Sequence, residues 1–131
     1  MDNTKIIEEF RANHGNVAMF GGMKLVLVTA TGAKTGKQTT FPVAYTKDGD
    51  TYVIVASKGG APTHPAWYYN LIAHPQVTVE VGDESFKAHA TNITGGERER
   101  LFAQHASHYP VFNTYKEKTS REIPVFTLKR I

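Results

Sequence analysis

Residues 24–56 read KLVLVTATGAKTGKQTTFPVAYTKDGDTYVIVA, and this stretch indicates the fold more clearly than any other. From Leu25 to Thr31 every residue is apolar or β-branched, which is typical of a buried strand. A second such run spans 39–45 and contains Pro42, which sheets tolerate on edge strands and at bulges. The Asp-Gly pair within 47–50 is typical of a tight hairpin turn, so 51–56 is predicted to return as the next strand.

Weaker patterns predict the remaining elements. Ile6, Ile7 and Phe10 have helical spacing, while the valines of 77–81 alternate with polar residues as in a half-buried strand. Thr94 and Glu97 have the spacing of a capping box at a helix start. The predicted elements are helices over 6–15, 65–73, 94–106 and about 111–118, and strands over 77–81, 84–92 and 123–128. Short antiparallel strands with few helices predict a mostly β chain forming a closed or partly closed barrel.

Length and composition limit the class of protein. A chain of 131 residues suits one domain spanning 1–131, in which 1–23 is predicted to be an N-terminal helix and loop and partly mobile. The absence of cysteine excludes disulfides, thiolate zinc sites and cysteine nucleophiles, and the six histidines lack ligand spacing, so no metal is predicted. No apolar run is long enough for a bilayer and no signal-peptide core is visible, so a cytoplasmic location is expected. Membrane association is left open, with nothing that indicates it.

The charge distribution suggests an anionic ligand. The net charge is +3, and the stretch from Lys24 to Lys58 contains five lysines and two acidic residues. Basic residues concentrated in this way favour a phosphate or carboxylate ligand, although an ordinary solvated surface has the same composition. The five arginines are scattered along the chain, which weighs against nucleic acid binding.

Two glycine-containing loops are candidates for that ligand. The turn over 32–37 and the loop over 57–60 both follow strands and both contain lysine. Their amides and lysines could bind a phosphate, whereas the alternatives are a plain hairpin and a simple glycine-rich connection. Two basic loops at strand ends in one small barrel favour a shared phosphate site.

Aromatic residues form two groups. One is 67–69 on the predicted helix over 65–73, and the other is Tyr109, Phe112 and Tyr115, which have i, i+3, i+6 spacing along one helical face. Spacing alone leaves open whether the second group is a lid over a pocket or a buried stripe.

The stretch over 57–70, SKGGAPTHPAWYYN, resembles the deazaflavin-dependent nitroreductase family. The resemblance extends through 70–77, to 31–36, to 109–110 and to 119–124, and it covers about residues 25–131. Family members are actinobacterial oxidoreductases that use coenzyme F420. They have the split β-barrel fold, with antiparallel strands and short helices, that they share with FMN-binding proteins.

The resemblance implies hydride transfer from reduced F420 to an electron-poor acceptor, such as an activated C=C bond, a quinone or a nitro compound. An FMN-dependent reductase and a non-catalytic coenzyme-binding protein are the alternatives, and monomer and homodimer are both left open. The implied coenzyme-binding residues are Lys34, Thr35, Lys37, Thr39, Pro42, Ala56, Ser57, Lys58, Gly59, Gly60, Pro65, Ala66, Trp67 and Asn70. The implied substrate-facing residues are Tyr68, Tyr109, Phe112 and Tyr115.

Three hydroxyl groups are candidates for the catalytic group that protonates or polarises the acceptor: those of Tyr109, Ser57 and Tyr115. The chain also departs from the family pattern. Ala33 and Thr39 stand where the family commonly has arginine, and Phe112 lacks the hydroxyl of a tyrosine found in some members.

Overall fold

The computed structural model describes residues 3–18 and 23–131. The helices are α1 (Thr4–Ala12), α2 (Ala66–Ala73), α3 (Gly95–His108) and α4 (Val111–Lys118), with one 3₁₀ turn at Lys58–Gly60. The strands are β1 (Leu25–Thr31), β2 (Gln38–Ala44), β3 (Thr46–Asp48), β4 (Thr51–Val55), β5 (Gln76–Val81), β6 (Glu84–Ile93) and β7 (Val125–Arg130).

The strands form one antiparallel sheet in the order β2-β1-β5-β6-β7-β4-β3. Pro42 lies on the edge strand β2 opposite Leu27, where its missing amide hydrogen leaves no partner strand unsatisfied. β2 also contacts β4 from the far side of the sheet, so the sheet curves into a half-barrel. This confirms the predicted mostly β, split-barrel class with short helices.

The two faces of the sheet are buried in different cores. Along β1, Leu25 and Leu27 pack in the cluster that includes residues of α1, α3 and α4. Val26 and Val28 point the other way, into the barrel interior, which α2 helps to close with Leu71. Each fully buried aliphatic side chain contributes about 1.5–3 kcal/mol, so this alternation specifies the register of the strand.

Two local expectations need correction or qualification. Thr94 is the N-cap residue of α3, but its side chain makes no capping hydrogen bond, so the predicted capping box is wrong. The Glu97 carboxylate instead accepts two hydrogen bonds from Arg100, at 2.6 and 3.0 Å. α1 confirms the predicted N-terminal helix, whereas part of the loop predicted to be mobile, residues 19–22, lies outside the described residues together with residues 1 and 2.

Within 3–18 and 23–131, no helix is both long enough and apolar enough to cross a membrane.

Candidate functional site

The 57–60 loop leaves the end of β4 in an unusual backbone conformation. Ser57 is α-helical (φ −78°, ψ −34°), and the next three residues have positive φ: Lys58 at 48°, Gly59 at 65° and Gly60 at 85°. A right-handed residue followed by a left-handed one, as at Ser57 and Lys58, makes successive amides converge on one concave spot, called a nest, which is a common anion-binding geometry.

The amides of this nest are available to a ligand. Gly60 N–H donates to the Ser57 carbonyl at 2.9 Å, and Ala61 N–H donates to that of Lys58 at 3.2 Å. Among the described residues, the amides of Ser57, Lys58 and Gly59 have no acceptor. Three adjacent unpaired donors are costly unless water or an anion occupies the concavity.

Ser57 and Lys58 add a hydroxyl and a charge to the nest. Ser57 is 7% exposed, and its hydroxyl makes no hydrogen bond within the described part of the chain. The exposed Lys58 ammonium donates to the Thr63 hydroxyl at 3.3 Å. The loop therefore presents three amides, one hydroxyl and one exposed cation.

Arg121 lies behind the loop, on the carbonyl side of its peptides. Its guanidinium donates to the carbonyls of Ala56, Ser57 and Ala61 and to Nδ1 of His64. Burial, and secondarily the positive charge of Arg121, lower the pKa of His64, so its ring accepts this hydrogen bond in the neutral form. Sequence reasoning missed Arg121 as a site residue; its place in the matched segment 119–124 was the only signal.

Gly60 brings α4 against the loop. A Cβ at Gly60 would lie 2.9 Å from both the Lys118 Cβ and the Tyr115 carbonyl oxygen. The structure thus places the main chain of Tyr115, a candidate catalytic residue, next to the nest, while its ring packs against that of Phe112.

The 32–37 turn is a rigid hairpin with exposed lysines. Gly32 N–H donates to the Lys37 carbonyl at 2.8 Å, and the Thr35 hydroxyl accepts from the Lys37 amide at 3.2 Å. The amide of Ala33 donates to Asn70 Oδ1 on α2 at 2.9 Å. The 32–37 turn therefore contacts α2 directly, whereas the 57–60 loop precedes this helix along the chain, with residues 61–65 between them.

The aromatic residues of α2 close the barrel. Trp67 stacks on Phe41 with centroids 4.9 Å apart and planes 9° apart, and Tyr68 stacks on His64 at 4.2 Å. Trp67 and Tyr68 also contact Phe126 in the barrel interior. Both rings are only half-buried, so each is a core residue with one accessible part.

The other implied coenzyme-binding residues differ in accessibility. Ala56 and Pro65 are buried, Pro42 is half-buried, and Thr39 and Ala66 are exposed. Ala56 is fully buried, its amide donates to the Pro124 carbonyl and its carbonyl accepts from Arg121, so it offers no surface to a ligand.

Tyr109 lies away from the 32–37 turn. Its hydroxyl donates to the Tyr45 carbonyl at 2.9 Å and accepts from the Lys24 amide at 3.1 Å. Those two residues flank the open end of the β1–β2 hairpin, roughly 20 Å along the strands from the 32–37 turn. Tyr109 also lines a groove there with His108, so its ring is accessible although its hydroxyl is engaged.

Phe112 connects Tyr109 to Tyr115 as part of a buried stripe. It is 6% exposed, and its ring contacts those of His105 at 4.5 Å and Tyr115 at 5.3 Å. The spacing of these aromatic residues was compatible with a lid over a pocket and with a buried stripe. The packing of Phe112 favours the buried stripe.

We expect Tyr109→Phe to lower the free energy of unfolding by about 1–3 kcal/mol, because the Tyr45 carbonyl and the Lys24 amide would lose their shared partner. Urea unfolding measures this loss, and turnover per folded molecule should stay near wild type. A roughly tenfold loss of turnover at unchanged stability would instead establish Tyr109 as the proton donor.

The chain matches a family model described as F420H(2)-dependent quinone reductase over residues 3–130. It is 37% identical over 129 residues to the F420H(2)-dependent quinone reductase Rv1261c of Mycobacterium tuberculosis, covering 92% of this chain and 85% of that protein.

Two solved structures are also similar. An F420-H2 dependent reductase (FDR-A) superposes with a TM-score of 0.74 at 42% identity, covering 80% of this chain and 93% of that one. A protein solved as a domain-swapped dimer has a TM-score of 0.76 at 36% identity, covering 95% and 96%.

These matches confirm the resemblance, the split-barrel fold, the oxidoreductase class and coenzyme F420. They favour F420 over FMN and an enzyme over a non-catalytic carrier. The chain belongs to the F420H(2)-dependent quinone reductase family.

Proposed function

We propose that this protein reduces a quinone with F420H2 and binds the phosphate of the coenzyme in the nest at 57–60. Nitro compounds and activated C=C bonds are the further acceptors proposed. The observation that supports this placement is that the amides of Ser57, Lys58 and Gly59 have no acceptor among the described residues. Converging N–H groups beside a lysine fit a phosphate diester better than any uncharged group.

The surroundings of the nest are compatible with the size and charge of F420. Exposed Lys34 and Lys37 on the neighbouring turn add positive charge beside α2, which suits the remaining acidic part of the coenzyme tail. The half-buried rings of Trp67 and Tyr68 offer a flat surface for a deazaflavin ring.

When bound, the reduced deazaflavin supplies the hydride. The protein has to bind and orient the two reactants and stabilise negative charge on the reduced acceptor. We propose the Ser57 hydroxyl as the group that donates to that oxygen, because it is nearly buried and has no hydrogen-bond partner among the described residues. Tyr115 is the second candidate, because its main chain adjoins Gly60 and the residue is only half-buried. The Tyr109 hydroxyl is the weakest candidate, since its proton is donated to Tyr45.

Lys58→Ala tests the proposed phosphate site. We expect the dissociation constant of F420, followed by quenching of coenzyme fluorescence, to rise by about one to two orders of magnitude, the effect of losing a charge-assisted contact. Salt should weaken wild-type binding more than binding by the variant.

Lys129→Ala is the matched control. It removes the same charge from β7, next to Leu128. Leu128 pairs with Tyr52, which lies at the end of β4 far from Ser57. F420 affinity should be unchanged in this variant. Unchanged affinity in Lys58→Ala would place the phosphate elsewhere. Tighter binding of FMN than of F420 by the wild type would contradict F420 as the coenzyme.

Domain organisation, assembly and location are part of the proposal. We propose that residues 1–131 act as one coenzyme-binding unit in the cytoplasm. The similar domain-swapped dimer supports a homodimer over a monomer.

A further inference from the structure

We propose that Arg121 is a positioning residue that orients the amides of the nest, an inference that rests on the phosphate placement proposed above. Its guanidinium uses all five N–H groups. Nε donates to the Ala61 carbonyl at 2.9 Å, and Nη2 donates to those of Ser57 at 2.9 Å and Ala56 at 3.3 Å. Nη1 donates to Ala56 at 3.4 Å and to His64 Nδ1 at 3.0 Å.

Because of the geometry of the peptide bond, these hydrogen bonds to carbonyls also fix the direction of the nest amides. In a trans peptide the carbonyl and the following N–H point in opposite directions, and no cis peptide occurs in the described chain. The carbonyls of Ala56 and Ser57 belong to the peptides that carry the amides of Ser57 and Lys58. By binding both carbonyls, Arg121 therefore directs both N–H groups away from itself, toward the concave side.

The hydrogen bonds of Arg121 also stabilise an unfavourable backbone conformation in the loop. Lys58 is a non-glycine residue at φ 48°, in the left-handed region that costs about 1–2 kcal/mol. The carbonyl on one side of it accepts from Arg121, and its own carbonyl accepts from the Ala61 amide. Because Arg121 also binds the Ala61 carbonyl, both ends of the strained segment are held by one rigid side chain.

Arg121 has no carboxylate partner among the described residues, so its charge is not neutralised locally. An arginine remains protonated in proteins. A cation at the carbonyl side polarises these peptides and strengthens their N–H groups as donors. Lysine would retain the charge but cannot bind three carbonyls at once with a planar fork.

The test compares Arg121→Met and Arg121→Lys with Arg98→Met. Arg98 is equally an arginine that binds backbone: Nε and Nη2 both donate to the Ile123 carbonyl, two residues from Arg121. It makes no hydrogen bond to the 57–60 loop, so it controls for loss of a guanidinium that binds the backbone of the segment containing Arg121. F420 affinity is measured by fluorescence quenching. Amide hydrogen exchange of Gly60 and Ala61, followed by NMR on the coenzyme-free protein, reports the loop itself.

Both Arg121 variants should weaken F420 binding by about tenfold or more, because the nest amides would no longer be held in place and the bound phosphate would lose the equivalent of about one hydrogen bond. Exchange at Gly60 and Ala61 should accelerate by a similar factor. Arg98→Met should lower stability while F420 affinity and exchange at Gly60 remain near wild type.

Three results would overturn the inference. The first is wild-type F420 affinity in Arg121→Met. The second is full affinity in Arg121→Lys, which would assign the effect to charge alone. The third is a loss of affinity in Arg98→Met equal to that in Arg121→Met. The result for Lys58→Ala distinguishes failure of the positioning role of Arg121 from failure of the phosphate placement. If Lys58→Ala weakens binding and Arg121→Met does not, only the positioning role fails; if neither variant weakens binding, the phosphate placement fails as well.

Discussion

Gly60→Ala is expected to weaken F420 binding by at least about a hundredfold and to lower the free energy of unfolding by about 3 kcal/mol. Gly60 has φ +85°, and an added Cβ would lie 2.9 Å from the Tyr115 carbonyl oxygen and the Lys118 Cβ. Relief of this clash requires α4 to move away or the loop to change conformation. Either movement disturbs the nest, so stability and affinity should fall together.

Gly49→Ala is the matched control for that experiment. Gly49 also has positive φ, at 62°, but a Cβ there would meet nothing within 4 Å, and the residue lies in the β3–β4 hairpin. It should cost only about 1–2 kcal/mol for the left-handed conformation and leave F420 affinity unchanged. Denaturant unfolding and fluorescence titration measure both quantities. If Gly60→Ala resembled Gly49→Ala in both, the close contact with α4 would be without consequence.

Acidification is expected to destabilise the fold through His105, by about 2–3 kcal/mol between about pH 7 and pH 4.5. This side chain is fully buried; its Nδ1 shares a hydrogen bond of 2.9 Å with the Thr46 hydroxyl, and Nε2 has no partner within the described residues. Burial, helped by the nearby charge of His108, lowers the pKa of His105 to about 4.

The sign of the effect follows from the two pKa values. In the unfolded chain His105 has its ordinary pKa of 6.5. Between that pH and about pH 4 the unfolded state therefore binds a proton at His105 while the folded state does not. The stabilising contribution is therefore complete above about pH 6.5 and declines as the pH falls toward 4. Above that range this residue should give no pH dependence.

Urea unfolding of the wild type and His105→Gln at both pH values isolates this contribution from that of the carboxylates. The variant should be less stable at neutral pH and should lose less stability on acidification. His108→Gln, at an exposed position next to the same helix end, should retain nearly the whole pH dependence of the wild type. A wild-type pH dependence in His105→Gln would show that another group is responsible.

Local patterns were sufficient for most of the secondary structure. The apolar run from Leu25 to Thr31, the proline on the edge strand and the Asp-Gly turn each describe interactions between residues close in sequence. The capping box at Thr94 was wrong because Glu97 had a stronger competitor, Arg100, whose guanidinium also binds Asp48 on β3. A spacing rule does not take into account that Arg100 is also held by Asp48, which is 52 residues away from it.

The sequence alone determined the class of the fold, the family and the two basic loops, because strand periodicity, turn residues and a long motif are all local properties. Only the tertiary structure decided the roles within the site. Tyr109 is bound to Tyr45 and Lys24, 64 and 85 residues away, and Arg121 binds carbonyls 60–65 residues away. A hydroxyl or a guanidinium acts through whatever its polar atoms touch, and those contacts exist only after the sheet has brought distant segments together.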